Sequence, residues 1–487
     1  MGIDRTGSDA PMVRVLTEEK IQRIHDSALE VLEEVGLQVV HEGARALLLE
    51  AGAEPNGEDV IRVPRTLVAE AIESAPSSFT IYNREGDEAL LLGAGNTYYG
   101  AGVTNLAYID IDGERRDFLL SDIADTALLA DALPNIDFVA TPGVVRPTEE
   151  MRVELANHHE FIEMVAHTKM PLVVLVADGP TLEDVFEMAD AVVGGKEAFC
   201  EKPFVVPYLN PVSPLLMNPD TIDKLFLAAD RRTPAVLQAA PQVGGSSPVT
   251  VASTLVIAAA ESLTGLVLSQ LRNAGTPFIT GVVPFVMDMR TGGVAATGPD
   301  MLLFMIAMGE IARFWGIPSL GVGGGTDSKV PDEQAAFDTG YYSQGVVLGG
   351  TDMSFDAGCL ECGLLFSPEV LVYADEAIGM HKRFMEGLEV NDTTLALDVI
   401  KEVGPAGLFL GHQHTLDHFR ELWDPTLLSW EPRDIWVARG SKTMGDRARE
   451  KVARLRAQHS VDPLTDEVLA DMRAVIGRRA AILPDDD

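Results

Sequence analysis

The chain has 487 residues, 46% of them hydrophobic and 6% aromatic, enough for a large core but short of membrane composition. Its 74 acidic against 37 basic side chains give a formal net charge of −37, which excludes the basic stripes needed to bind nucleic acid. So negative a field favours cationic ligands; adaptation to salt produces the same excess, and composition leaves both open.

In chain order, the opening MGIDRTGSDAPMVRVL has neither a basic start nor an apolar stretch, so a cytoplasmic protein without a secretion signal is expected. Residues 17–36 read as an amphipathic helix with Thr17 as N-cap and Gly36 as C-cap. Further helices are expected near 41–52 and 63–76. Between 78 and 118 shorter alternating runs predict hairpins, one of them turning at Asp112-Gly113. Residues 1–118 are therefore expected to form a helical and β-hairpin extension.

From residue 119 the rhythm becomes helix, loop and short apolar strand. Strands are predicted at 136–141, 171–177, 203–209, 234–240, 277–283, 317–323, 350–355 and 406–411. Runs this short and apolar, separated by helices, suit a parallel sheet covered on both faces. Eight of them predict an α/β fold, a (β/α)8 TIM barrel over 119–429, with a doubly wound open sheet as the alternative. Residues 430–487 read as a helical segment ending in an acidic tail. The most apolar run, 249–271, contains Glu261 and Gln270 and lacks basic flanks, so a buried helix is expected there and not a membrane span.

In such a barrel the loops after the strands carry the site. They hold Asp288, Arg290, Asp327, Lys329, Glu361, His412 and His414, a collection of charge that loop composition alone does not explain. GVGGGTDSKVPDEQ at 321–334 lacks the phosphate-loop spacing, so Gly323, Gly324 and Gly325 are read as letting a ligand or large cofactor approach the backbone. Three cysteines give no disulfide framework. Cys359-x-x-Cys362 together with His412-x-His414 and His418 offers a zinc-type donor set, against the plainer roles of core packing and helix capping. Aromatic residues recur near these loops: Tyr98 and Tyr99, Phe285, Tyr341 and Tyr342, and Phe355. Around a cavity, π faces bind a quaternary ammonium at roughly 0.5–2 kcal/mol each, and Asp327 or Glu361 would complete a cation cage.

The motifs IHDSALEVLEEVG (24–36), NPVSPL (210–215), SPVTVASTLVIAAAESLTGLVLSQL (247–271), DMRTG (288–292), GGGTDSKVPDEQ (323–334), FSPEVLVYADEAIGM (366–380) and DVIKEVGPAGLFLGHQHTLDHFRELWDP (398–425) resemble the trimethylamine methyltransferase family. The resemblance implies a TIM barrel that moves a methyl group from an amine to the cobalt of a cognate corrinoid protein, with no tightly bound cofactor of its own. Members acting on trimethylamine contain pyrrolysine. This chain has only standard residues and so resembles the non-pyrrolysine branch typified by glycine betaine methyltransferase, with Val330, just after Lys329, at the pyrrolysine position. Phe355-Asp356 stands where many relatives are expected to carry His-Gly, a departure that bears on the substrate.

Catalysis is expected at Asp327, Lys329, Val330 and Glu361. Substrate binding falls to Tyr98, Tyr99, Phe285, Asp288, Arg290, Tyr341, Phe355, His412 and His414, while Gly323–Gly325 would admit the corrin ring. A quaternary ammonium already carries a neutral leaving group, so attack by Co(I) needs no general acid. A betaine carboxylate would pair with Arg290 or Lys329; for a choline-like donor those cations would pair instead with Asp288 or Asp327. The expected partners are the amine, the corrinoid protein and further copies of the chain. A zinc-dependent hydrolase built on the Cys/His cluster and a non-catalytic betaine-binding protein are the competing functions.

Overall fold

Eight short strands, buried on both faces, pair in parallel in chain order and close on themselves. The computed structural model describes residues 2–6, 10–146 and 151–484. The strands are β1 (Asn96–Ala101), β2 (Phe138–Ala140), β3 (Leu172–Val174), β4 (Val205–Leu209), β5 (Ala235–Ala239), β6 (Phe278–Val282), β7 (Ser319–Val322) and β8 (Met353–Ala357). Closure is the pairing of β8 with β1, which leaves the barrel without an edge. The fold is the expected TIM barrel.

Two expectations are corrected. The run 406–411 forms no strand, and Leu408 and Leu410 are 78% and 73% exposed. Its place in the barrel is taken by β1, whose NTYYGA lies within the expected extension 1–118. Barrel strands therefore lie within 96–357, across the boundary drawn at 118, and the segment after Met385 contributes none. Asp485–Asp487 of the acidic tail lie outside the described residues.

Side chains inside the barrel form one apolar cluster, among them Phe138, Val173, Val206, Val236, Ile279 and Leu320. The hairpin of strands Phe79–Tyr82 and Glu88–Leu92 adds Ile81, Leu90 and Leu92 to that cluster, plugging the N-terminal end. Only the opposite end is left for a site, as the fold requires. Helices Glu18–Glu30, Glu42–Glu50 and Arg65–Ser74 share a second cluster with helix Val251–Arg272 on the outer face. That helix is long and apolar enough to span a membrane, yet it is mostly buried inside the protein. Its Glu261 is fully buried, accepting hydrogen bonds from Ser213 Oγ and Leu215 N at 2.8 Å each, and burial pushes its pKa up to about 7. The predicted C-terminal helices appear as Met444–Gln458 and Asp466–Ala480. The first is held by the buried pair Lys451–Asp375 (2.8 Å) and by Arg456 on Asp125 and Asp110 (2.7 and 2.9 Å).

Candidate active site

The site begins with an irregularity in β8. Met353 and Ser354 pair with Tyr98 and Tyr99, but Ala101 pairs with Ala357, so Phe355 and Asp356 together oppose the single residue Gly100. An extra residue of this kind bends a strand and re-aims its side chains, and it puts Asp356 at φ +79°. Glycine takes that conformation freely; an L-residue does so at a cost on the order of 1 kcal/mol or more. Aspartate thus occupies a position that its backbone suits poorly.

The bulge opens a cavity of about 230 Å³ at the C-terminal end of the barrel. Phe355 and Asp356 form one wall, Tyr208 and Asn210 at the end of β4 another, and Phe285 and Cys362 come from the loops after β6 and β8. The rings of Tyr208 and Phe355 meet edge to face, 5.7 Å between centroids at 78°. A smaller space of about 30 Å³ adjoins it beneath Gly323, Gly325 and Tyr342, sharing Val283, Asp356 and Cys362 with the first.

Asp356 Oδ1 is shielded from solvent and has no hydrogen-bond partner among the described residues. Burial alone pushes the carboxyl up to about pH 7. The titratable groups close enough to feel it are the Tyr208 hydroxyl and the thiols of Cys359 and Cys362. Burial raises all three, Cys362 to about 12, so they are neutral at physiological pH. No Lys, Arg or His is among the described residues lining either cavity. The result is an apolar, aromatic chamber whose one carboxyl meets no Lys, Arg or His among the described lining residues.

Hydrogen bonds between successive loops hold the chamber's rim. Asp327 accepts from Ala296 N, Thr297 N and Thr297 Oγ1 (3.1, 2.9 and 2.6 Å), tying the loop after β7 to the loop after β6. Backbone bonds Thr326 N to Cys359 O, Glu361 N to Ser328 O and Cys362 N to Thr326 O lace it to the loop after β8. Asp332 caps helix Glu333–Gly349 and also takes Ser328 Oγ at 2.7 Å.

The profile of the trimethylamine methyltransferase (MTTB) family matches residues 4–484. The chain belongs to that family. It is 31% identical over 468 residues to the trimethylamine methyltransferase MttB of Desulfitobacterium hafniense (strain DSM 10664 / DCB-2), covering 94% of this chain and 92% of that protein. Identity to the glycine betaine methyltransferase of D. hafniense (strain Y51) is 29% over 475 residues, covering 97% and 98%. Among solved structures, the monomethylamine methyltransferase MtmB of Methanosarcina barkeri has the same fold, with a TM-score of 0.51, 9% identity and coverage of 98% of this chain and 90% of that one. As a member of the trimethylamine methyltransferase family, the protein is a methyltransferase.

Few of the residues singled out from sequence meet at the chamber. Phe285 and Phe355 line the chamber. A Cβ on Gly324 would lie 2.6 Å from Ala357 N and one on Gly323 2.4 Å from Val346 Cγ2, so at these two positions the missing side chains make room for the protein's own next strand and helix. Gly323 and Gly325 nonetheless border the smaller space.

The other candidates lie elsewhere. Tyr98 sits over the plug, its hydroxyl accepting from Leu91 N at 2.9 Å, and Tyr99 points outward to donate to the Ser343 carbonyl. Tyr341 is exposed and stacks on Phe337, while its neighbour Tyr342 lines the smaller space. Asp327 is fully engaged by the preceding loop, Glu361 pairs with Arg115 at 3.3 Å, and Val330 is 48% exposed. Arg290 binds Asp288 at 3.0 Å, which holds the Asp288 carboxyl down at about 2. Lys329 is exposed and donates to the Asp327 carbonyl at 2.5 Å.

His412 caps the short helix Gln413–His418, where the His414 and His418 rings lie 4.4 Å apart. Among the described residues no group of three or more His, Cys, Asp or Glu is placed to hold a metal, so the zinc cluster is not assembled. Sequence reasoning missed Tyr208, Asn210, Cys362 as a chamber residue, and Asp356 itself. The departure at Phe355-Asp356 was the one available signal for the last.

Proposed function

We propose that the protein transfers a methyl group from a small quaternary amine to the Co(I) of a corrinoid carried by a partner protein. The observation that carries this reading is the chamber at the barrel mouth, where aromatic faces surround one partnerless carboxylate. A quaternary nitrogen offers no hydrogen-bond donor, so only π faces, apolar contact and a counter-charge can hold it, and these are what the chamber contains. The names of the relatives, a trimethylamine and a glycine betaine methyltransferase, support a methylated amine as donor.

Chemically the step is a displacement. The electron pair of Co(I) forms the Co–C bond, the C–N bond breaks with its pair returning to nitrogen, and methyl-Co(III) and a neutral tertiary amine result. No proton moves, so the step asks nothing of the Asp356 carboxyl beyond its charge. The protein's part is to fix the nitrogen, align one N–CH3 bond with the rim and exclude water. A chamber of about 230 Å³ admits the amine alone, so the corrin would meet the methyl group at the rim.

The test is incubation of the purified protein with Co(I) cobalamin and a panel of quaternary amines. Methyl-Co(III) absorbance with at least one of them is expected. Tight binding of an amine with no methyl-Co(III) formation would instead favour a binding protein.

A further inference from the structure

We propose that the chamber selects methyl donors that are net cations, choline-like or simple tetraalkylammonium ions, over zwitterionic betaines, with Asp356 as the fixed counter-ion that makes the choice. This rests on the methyl-transfer reading and narrows its substrate class. A betaine carries its carboxylate within a few bonds of the nitrogen. Bound with its nitrogen among Tyr208, Phe285 and Phe355, it would bring a second negative group beside Asp356. Among the described residues no Lys, Arg or His lines the chamber to receive it.

Arg290 and Lys329, in the loops after β6 and β7, have partners of their own outside the chamber lining. Arg290 is 89% exposed and bound through Nε and Nη2 to Asp288 at 3.0 and 3.4 Å. Lys329 Nζ turns to the Asp327 carbonyl. Like charges brought together in a poorly solvated space repel strongly, and rejection of that kind discriminates better than attraction alone. A neutral arm such as a hydroxyethyl group meets no such obstacle, and Asn210 and Thr104 offer it uncharged polar neighbours.

The position of the acid strengthens the inference. Asp356 stands in a left-handed conformation at a bulge, where glycine would relieve the backbone. Its carboxyl gains no hydrogen bond at Oδ1 in return. Strain and desolvation concentrated on one side chain in a cavity mark a group held for a ligand.

Calorimetric titration at pH 8 with choline, tetramethylammonium and glycine betaine tests this without any cobalt chemistry. Choline should bind at least tenfold more tightly than glycine betaine. Asp356→Asn should weaken choline binding at least tenfold and bring the two ligands to within about threefold of each other. Asp356→Gly, which suits the backbone, should fold at least as stably as the wild type and lose choline binding equally, so that loss cannot be ascribed to misfolding. Glycine betaine binding as tightly as choline, binding of neither, or choline binding unchanged in both variants would overturn the proposal. If the cations bind as expected but give no methyl-Co(III), the methyl-transfer reading fails and the cation site stands. If glycine betaine binds better and is demethylated, the selectivity alone fails.

Discussion

Tyr208 at the end of β4 and Phe355 in β8 meet edge to face across the mouth of the barrel, 5.7 Å between ring centroids. Their contact fixes both rings beside Asp356, and the two strands that supply them pair with different neighbours. The chamber is thus a property of barrel closure and not of any single loop.

The aromatic walls should therefore matter separately from the acid. Phe355→Ala removes one π face and one half of the edge-to-face pair, and is expected to weaken binding of a quaternary amine about tenfold, in line with roughly 0.5–2 kcal/mol per face. Tyr208→Phe keeps the ring and should stay within about threefold of wild type. Titration of both variants with tetramethylammonium checks the contrast.

Amine binding should depend on pH through Asp356. Its ordinary pKa of 3.8 is raised by burial to about 7, so below pH 7 the carboxyl is neutral and must lose a proton to face a cation. Affinity should fall about tenfold per unit as pH drops below 7, and level off above it. The stability sign runs the other way. Folding holds the proton that the unfolded chain releases above 3.8, so this group's contribution declines as pH rises from about 4 to 7 and is constant beyond. Titrations at pH 5.5, 6.5 and 8, with Asp356→Asn as the pH-insensitive control, measure the first effect.

The glycine run should prove structural at one residue and lenient at the next. Gly324→Ala places a Cβ 2.6–2.7 Å from the backbone N and Cα of Ala357, which cannot rotate away, and should destabilise the protein by about 1–3 kcal/mol. Gly325→Ala meets Asp356 Cβ at 3.2 Å and Cys359 Cβ at 3.4 Å and should cost about 1 kcal/mol or less. Denaturant midpoints of the two variants decide.

Much of this was legible in the sequence, and the misses share a physical cause. Seven barrel strands announce themselves as apolar runs between helices, because a strand covered on both faces has no polar side to show. β1 does not, since NTYYGA mixes polar and glycine residues, its Tyr99 facing the helices and Tyr98 the plug. The run 406–411 misled for the converse reason: composition reports how apolar a segment is, not whether anything covers it, and Leu408 and Leu410 stay exposed. At the site, Phe285 and Phe355 could be named because both fall at the C-terminal ends of predicted strands, where a barrel carries its site. Asp356 could not, because the lack of a cationic partner for it among the described lining residues is visible only in three dimensions.

His412 and His414 stand on a short helix and line neither chamber, so alanine at either should leave methyl transfer to free Co(I) cobalamin within about twofold of wild type. Cys359→Ser tests the buried thiol, which accepts from Asn105 Nδ2 at 3.4 Å. It should lower stability without releasing any bound zinc. Steady-state rates and metal analysis of the three variants provide the check.

The most direct measurement follows a 13C-labelled N-methyl group by NMR while the protein turns over a quaternary amine with Co(I) cobalamin. The label should move to cobalt with one equivalent of tertiary amine released, and Phe355→Ala should slow both together. Label that stays on nitrogen for every quaternary amine offered, or moves equally fast without the chamber's aromatic wall, would contradict the account.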